Sequence, residues 1–449
     1  MINQEKIKET INMVQIIEKL FADLKTKPSK KDKSIGYISE IEEFIDILNI
    51  IKLILLDYNS PENSISFKGK IINQSKINIV RLFNLQDLFC STLSKLDTKC
   101  LEEGNLPVFC RNIRQITKKW KPIDKFNKEF TMHFLCNAHI DLAWLWRKAE
   151  SVEICRGTFN SVLNLMKEYP GFTYTQSQAL VYEWMEEKYP KIFNGIKRAV
   201  KKGSWEIIGN MWVEPDCNIP DTESMARQFF YGNKYFREKF GIKSKIGWIV
   251  DSFGYNWNLP QFFKQCGIEN FITQKISWND TNEFPYHIFW WEAPDGSKVL
   301  TYFPFTSYVL DIATQKDLYK AVGVLPKFEK NTGLKDILVL AGVGDHGGGP
   351  TKEMLDKIEI LKKMPFFPKV KYITANKYFE LLRNSTNLKS LPVWKDELYL
   401  EYHRGALTGL YNLWGSIGIV VERCSISRMQ KYLRIRTQNN VISVIARSF

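Results

Sequence analysis

Residues 130–146 read FTMHFLCNAHIDLAWLW: an apolar run with the pattern of a buried strand, which breaks into the polar cluster NAHID before apolar residues resume. The same texture repeats downstream. Strand-like FTYTQ (172–176), WEIIG (205–209), KIGWIV (245–250), ENFITQ (269–274) and ILVLAGVG (337–344) alternate with stretches of helical character such as KIFNGIKRAVKKG (191–203), ESMARQFFYGNKYFREKFG (223–241) and LPQFFKQCG (259–267). Apolar strands alternating with amphipathic helices predict a parallel sheet covered by helices, either open or closed into a barrel. Polar clusters follow nearly every strand: NAHID, SQ, NMWVEPD, DSFGYN, QK and GDHGGG. In a barrel such strand ends converge on one mouth, which favours the closed form.

Upstream of this region the texture is different. Ile7, Ile11, Val14, Ile17 and Phe21 fall at helical spacing, and Ile41 to Leu56 forms a second apolar stretch before the turn-rich DYNSPENS. Residues 1–128 are therefore expected to be a small, mostly helical accessory domain, residues 129–385 an α/β catalytic domain, and residues 386–449 the start of a helical domain ending in an irregular basic tail. With 449 residues, two or three domains are expected.

Composition excludes several function classes. A hydrophobic content of 44% with 13 Trp, 19 Tyr and 29 Phe rules out a disordered chain. The formal charge of +14 is spread over solvated runs such as KTKPSKKDK (25–33), and residues 411–449 hold six basic groups against one acid. No groove-reading or zinc-finger motif accompanies it, so no nucleic-acid partner is expected. The eight cysteines are scattered without a CxxC pair, as in a reduced compartment. No apolar leader opens the sequence and no run of about 18 apolar residues occurs in it. The expectation is a cytoplasmic protein, or a vacuolar one delivered without a signal peptide, with no membrane partner; homo-oligomerisation stays open.

Two clusters carry the chemistry. His139 and Asp141 lie two residues apart directly after an apolar strand, and in extended backbone such side chains point the same way and can hold one cation together. Asp251, in WIVDSFGYN, also directly follows an apolar strand and stands beside a glycine turn at the carboxyl edge of the sheet. Glu214, Asp216 and Asp345 add acids at neighbouring strand ends. Acids gathered at one mouth suit cleavage of a glycosidic bond, where one carboxylate attacks and another protonates the leaving oxygen. Trp144, Trp146, Trp212, Phe253, Tyr255 and Trp257 flank the same strand ends. Singly each suits a core; interleaved with acids they suit a sugar pocket. The glycines of GDHGGGPT lack the GK[ST] of a phosphate loop and mark a turn close to the ligand.

AHIDLAWLWR (138–147), GSWEIIGNMWVEPDCNIP (203–220), GWIVDSFGYNWNLPQFFKQCGI (247–268), FWWEAPDGS (289–297), GVGDHGGGPT (342–351) and ELYLEYHRGALT (397–408) together resemble the glycoside hydrolase family 38 α-mannosidases, in particular their cytosolic and vacuolar branch. The resemblance implies a (β/α)7 barrel with zinc at its mouth, or cobalt or another divalent ion, and hydrolysis of terminal α-D-mannosyl residues of oligosaccharides with retention. By matching motif it makes His139 and Asp141 metal ligands, and Asp251 both a ligand and the nucleophile. Trp144 would stack on the mannose, with Phe253 close by; Asp216, Tyr255 and His403 complete the expected substrate contacts. The general acid aligns with GVGDHGGG, at Asp345 or, in a gap-free pairing, at His346, with Asp216 in reserve. The family continues well past this point and carries a further histidine ligand in an FHD-type motif, whereas the sequence after Thr408 loses the resemblance and ends at Phe449. An inactive, truncated homologue lacking a fourth ligand, with His346 or His403 as substitutes, is therefore one alternative reading. A metal-dependent carbohydrate deacetylase is another.

Overall fold

A computed structural model of the chain describes residues 4–26, 35–56, 79–142, 146–279, 281–344, 346–385 and 388–399. Backbone contacts divide the chain into two compact units: residues 1–133 with 312–337 and 356–371, and residues 134–311 with 338–355 and 372–449.

The first unit follows the helical periodicity of its sequence. Val14, Ile17 and Phe21 are buried along the helix Gln4–Lys25, and Ile41, Phe44 and Leu48 along the helix Ile35–Ile51. Trp120 is the centre of this core. It is fully buried, stacks on Phe44 with ring centroids 6.0 Å apart, meets Phe89 at a tilt with centroids 5.2 Å apart, and donates its indole N–H to Thr92 Oγ1 at 2.6 Å. An aromatic of this size with a satisfied polar atom contributes packing without a desolvation penalty.

The alternation read from the sequence follows from residue 131 onward. The strands are β1 (Thr131–Asn137), β2 (Tyr174–Gln176), β3 (Trp205–Ile207), β4 (Ile246–Trp248), β5 (Asn270–Ile272), β6 (Ile288–Glu292), β7 (Lys298–Tyr302), β8 (Asp336–Ala341), β9 (Lys369–Tyr372) and β10 (Val393–Trp394). Among the described residues they form two five-stranded sheets, one in the order β3-β2-β1-β8 with β9 also on β1, the other in the order β10-β6-β7-β5-β4. The pairs β1–β2, β2–β3, β4–β5 and β5–β7 are parallel, as buried apolar strands with helical crossovers require. The exception is the antiparallel hairpin β6–β7, closed by the turn at Asp295–Ser297, where Asp295 Oδ1 accepts the Ser297 N–H at 2.9 Å. All seven residues of β1 are buried.

Hydrogen bonds among the described residues link the sheets at both ends. Gly209 N–H, just past β3, donates to the Ile246 carbonyl of β4 at 2.9 Å. At the other end the Tyr302 hydroxyl of β7 both accepts from Leu338 N and donates to Leu338 O of β8, each at 3.2 Å. A core of Phe229, Tyr255, Leu259, Phe263, Phe271, Phe289 and Trp291 packs helices Thr222–Phe240 and Leu259–Gln265 against the second sheet. The helix Thr222–Phe240 begins at Asp221, whose carboxylate caps the Ser224 N–H at 2.7 Å.

Candidate metal-binding active site

The end of β1 delivers His139 and Asp141 into one cluster with Asp251, which follows β4. One ligand atom from each of the three lies within 4.8 Å of the others. His139 is 5% exposed, and its Nε2 stands 3.4 Å from Asp141 Oδ1 and 3.5 Å from Asp251 Oδ2. These separations are long for hydrogen bonds between charged groups. They match the spacing of roughly 3.4 Å that ligands keep around a tetrahedral cation with bonds of about 2.0–2.1 Å. One imidazole nitrogen and two carboxylates, partly open to solvent, thus fit a divalent ion of the zinc class.

The electrostatics of the cluster follow from crowding three acids around one imidazole. Burial by itself would lower the pKa of His139, but Glu214, Asp141 and Asp251 outweigh it and hold the ring well above its usual 6.5. For Asp251 burial would raise the pKa, yet His139 and Lys275 hold its carboxyl well below the usual range, so it is ionised at neutral pH.

Four further residues build the site's frame. Lys275, the first residue of the short helix Lys275–Ser277 that follows β5, is 3% exposed; its Nζ lies 2.5 Å from Asp251 Oδ1 and 3.7 Å from the ring centroid of Trp278. The Tyr308 hydroxyl donates to the same Oδ1, and its ring stands edge-on to His139 at 5.2 Å. Gln178 holds a buried left-handed turn at φ 66°, donating to the Ile140 carbonyl at 3.1 Å and accepting from Glu214 N–H at 3.0 Å. Glu214 Oε1 accepts from Val250 N at 2.6 Å and Asp251 N at 2.7 Å, and its Oε2 faces His139 Nδ1 at 3.5 Å. Sequence reading passed over Lys275, Gln178 and Tyr308. The first two stand in the polar clusters QK and SQ that follow strands, which was the available signal; Tyr308 carried none.

The other expected residues are distributed differently. Phe253 lies beside the cluster, its ring 4.6 Å from Lys275 Nζ. Tyr255 corrects the sequence reading: it is fully buried in the core, donates to the Ile249 carbonyl at 3.3 Å and packs on Phe271, so it offers no face to a sugar. Four residues after Asp251, the chain has already turned inward to pair with Leu398. Asp216 uses Oδ1 to close a turn, accepting from Asn218 and Ile219 N–H at 2.8 Å each. Trp146 donates to the Asp141 carbonyl at 3.2 Å and stands edge-on to His346, whose Nε2 is 3.0 Å from Glu150 Oε1. Ile140 and His346 pair across a β-bridge, which brings the GDHGGG turn to the end of β1. Asp345, Trp144 and His403 lie outside the described residues.

The α/β fold thus gathers an imidazole and two carboxylates at its strand ends, a donor set that can hold a divalent cation. The profile of the glycosyl hydrolases family 38 N-terminal domain matches residues 129–397, and the chain belongs to that family. It is similar to alpha-mannosidase G of Dictyostelium discoideum, 36% identical over 357 residues that cover 78% of this chain and 30% of that protein. Alpha-mannosidase 2C1 of Homo sapiens is 37% identical over 62% of this chain and 26% of its own length. The alpha-mannosidase of Saccharomyces cerevisiae is 38% identical over 61% and 26%. The chain thus spans less than a third of the curated relatives it matches. Among solved structures, an alpha-mannosidase from Enterococcus faecalis V583 superposes with a TM-score of 0.52 at 17% identity, over 60% of this chain and 31% of that one, which shows the common fold.

Proposed function

We propose that the chain forms the nucleophile-bearing part of a retaining α-mannosidase acting on terminal mannosyl residues of oligosaccharides. The observation that carries this reading is the convergence of His139, Asp141 and Asp251 within 4.8 Å, in a member of family 38. His139, Asp141 and Asp251 would hold zinc, or cobalt or another divalent ion. When bound, the ion supplies positive charge that orients sugar hydroxyls and polarises the reacting centre.

The chain's own residues do the rest. Asp251, ionised, attacks the anomeric carbon and forms an ester bond to it as the glycosidic C–O bond breaks. The leaving oxygen takes a proton from an acid on the GDHGGG turn, Asp345 or His346, with Asp216 in reserve. That conjugate base then takes a proton from water, whose oxygen displaces Asp251 and restores its carboxylate. Lys275 and Tyr308 donate to Asp251 Oδ1 and fix the carboxylate plane, which directs the Oδ2 edge at the cluster. Phe253 and Trp278 offer apolar faces beside it, and Trp144 and His403 are the further sugar contacts.

The two links from β3 to β4 and from β7 to β8 support a closed ring β1-β2-β3-β4-β5-β7-β8, the seven-stranded barrel expected from the sequence. Residues 129–385 are accordingly proposed as the catalytic domain, after an accessory domain at 1–128. Cytoplasmic residence is supported by the described cysteines, all free and six of the seven buried.

The test is hydrolysis of a chromogenic α-mannoside by the purified chain with zinc or cobalt, with the first-formed anomer read by NMR. Turnover giving the α-anomer, and lost in Asp251→Ala, is expected. A β-anomer would refute retention, and undiminished turnover in Asp251→Ala would refute the nucleophile.

A further inference from the structure

We infer that Glu214 is a positioning residue that fixes both the hydrogen-bearing nitrogen of His139 and the backbone of Asp251. The inference rests on the cation site proposed above and adds to it a residue outside the three ligands.

Glu214 sits on the segment after β3, and each of its oxygens has its own task. Oε1 accepts two successive backbone N–H groups, from Val250 at 2.6 Å and Asp251 at 2.7 Å, which sets where the Asp251 side chain leaves the chain. Oε2 is buried with no hydrogen-bond partner of its own and faces His139 Nδ1 at 3.5 Å. The other ring nitrogen, Nε2, is the one facing Asp141 and Asp251. An imidazole binds a cation through the nitrogen that carries no hydrogen, and an acceptor at the opposite nitrogen decides which one that is. With Glu214 at Nδ1, that nitrogen keeps its hydrogen and Nε2, which faces the cluster, is the one that gives its proton up to a cation.

The carboxylate is required by its symmetry. All three groups that face Glu214, namely Val250 N, Asp251 N and His139 Nδ1, are donors, so both of its oxygens must accept. Glutamine has the same shape but only one accepting atom. If its oxygen faces the backbone, its amide N–H₂ meets His139 and drives the hydrogen to Nε2, which removes the lone pair; if reversed, it meets the two backbone donors and displaces Asp251. Gln178 anchors the backbone of Glu214, with its side chain bonded to Glu214 N–H on one side and to the Ile140 carbonyl on the other.

The experiment titrates Co²⁺ into the wild-type chain, Glu214→Gln and Glu214→Ala, reading affinity and the visible absorption of the bound ion, with circular dichroism and melting as folding checks. Cobalt binding weakened about 10- to 100-fold in folded variants, with an altered absorption band, is expected. A merely structural role would lower the melting temperature and leave the band unchanged. As a measurement independent of any variant, ¹⁵N NMR of the zinc-loaded wild type should find His139 hydrogen-bearing at Nδ1 and metal-bound at Nε2. Wild-type affinity and band in both variants, or zinc on Nδ1, would overturn this inference and leave the cation site standing. A wild-type chain that takes up no Co²⁺ would overturn both.

Discussion

Asp251 carries more of the account than any other residue, and its immediate partners set its behaviour. Lys275 is a buried cation touching one oxygen of that carboxylate. A hydrogen bond between charged groups contributes about 1.5–3 kcal/mol, so Lys275→Met should lower kcat/KM by about 10- to 100-fold. Because the lysine helps to hold the carboxyl pKa down, the acidic limb of the pH–rate profile should move to higher pH. Steady-state kinetics across pH check both. His139 gives a second prediction through its raised pKa. A group whose folded pKa is raised stabilises the fold below its unfolded value of about 6.5, and this is lost as pH rises through the folded value. The metal-free chain should therefore melt at lower temperature as pH climbs above neutrality. Metal uptake displaces that proton, so affinity should rise over the same range. Melting and titration at a pH series read the two opposite slopes. His139, Asp141 and Asp251 were legible in the sequence because polar residues ending apolar strands are few and each could be placed at a strand end. Lys275 and Tyr308 were not, because they reach Asp251 from 24 and 57 residues away through the packing of separate strands.

At the scale of elements, the site depends on how closely helices approach the strand ends. Gly232, inside the helix Thr222–Phe240, meets the backbone at Asn210 and Met211; a Cβ there would lie 2.5 Å from Asn210 O. Gln228 of the same helix accepts Trp212 N–H through its carbonyl and Val213 N–H through its side chain, both near 3.0 Å. This helix thus holds the segment that carries Glu214. Gly232→Ala must push backbone against backbone and should destabilise the chain by about 1–3 kcal/mol, measured by denaturant unfolding. An unchanged midpoint would contradict the close approach. Strands and helices were readable from their periodicity, since parallel pairing forces apolar strands and leaves amphipathic helices between them. The tyrosine of DSFGYN was misread because a strand-end turn gives no alternation to tell an inward ring from an outward one; its full burial is set by the pairing of Tyr255 with Leu398, far off in sequence.

For the molecule as a whole, the cation site ties together chain segments far apart in sequence, at residues 139–141 and 251. A ligand bound by the folded state alone stabilises it by about 2.7 kcal/mol at a free concentration of 100 times Kd. Zinc should accordingly raise the melting temperature of the chelator-treated protein, with an increment that grows with the logarithm of zinc concentration and vanishes in His139→Ala. The family relationship was readable because several long motifs keep their order across residues 138–408, whereas the links that join the two sheets, Gly209 to Ile246 and Tyr302 to Leu338, leave no mark in the motifs themselves. The most direct test of the central claim, that His139, Asp141 and Asp251 form one divalent-cation site, is metal content after equilibrium dialysis against zinc. About one zinc per wild-type chain, lost in Asp251→Ala, is the predicted result; a wild-type chain that retains no more zinc than Asp251→Ala would contradict it.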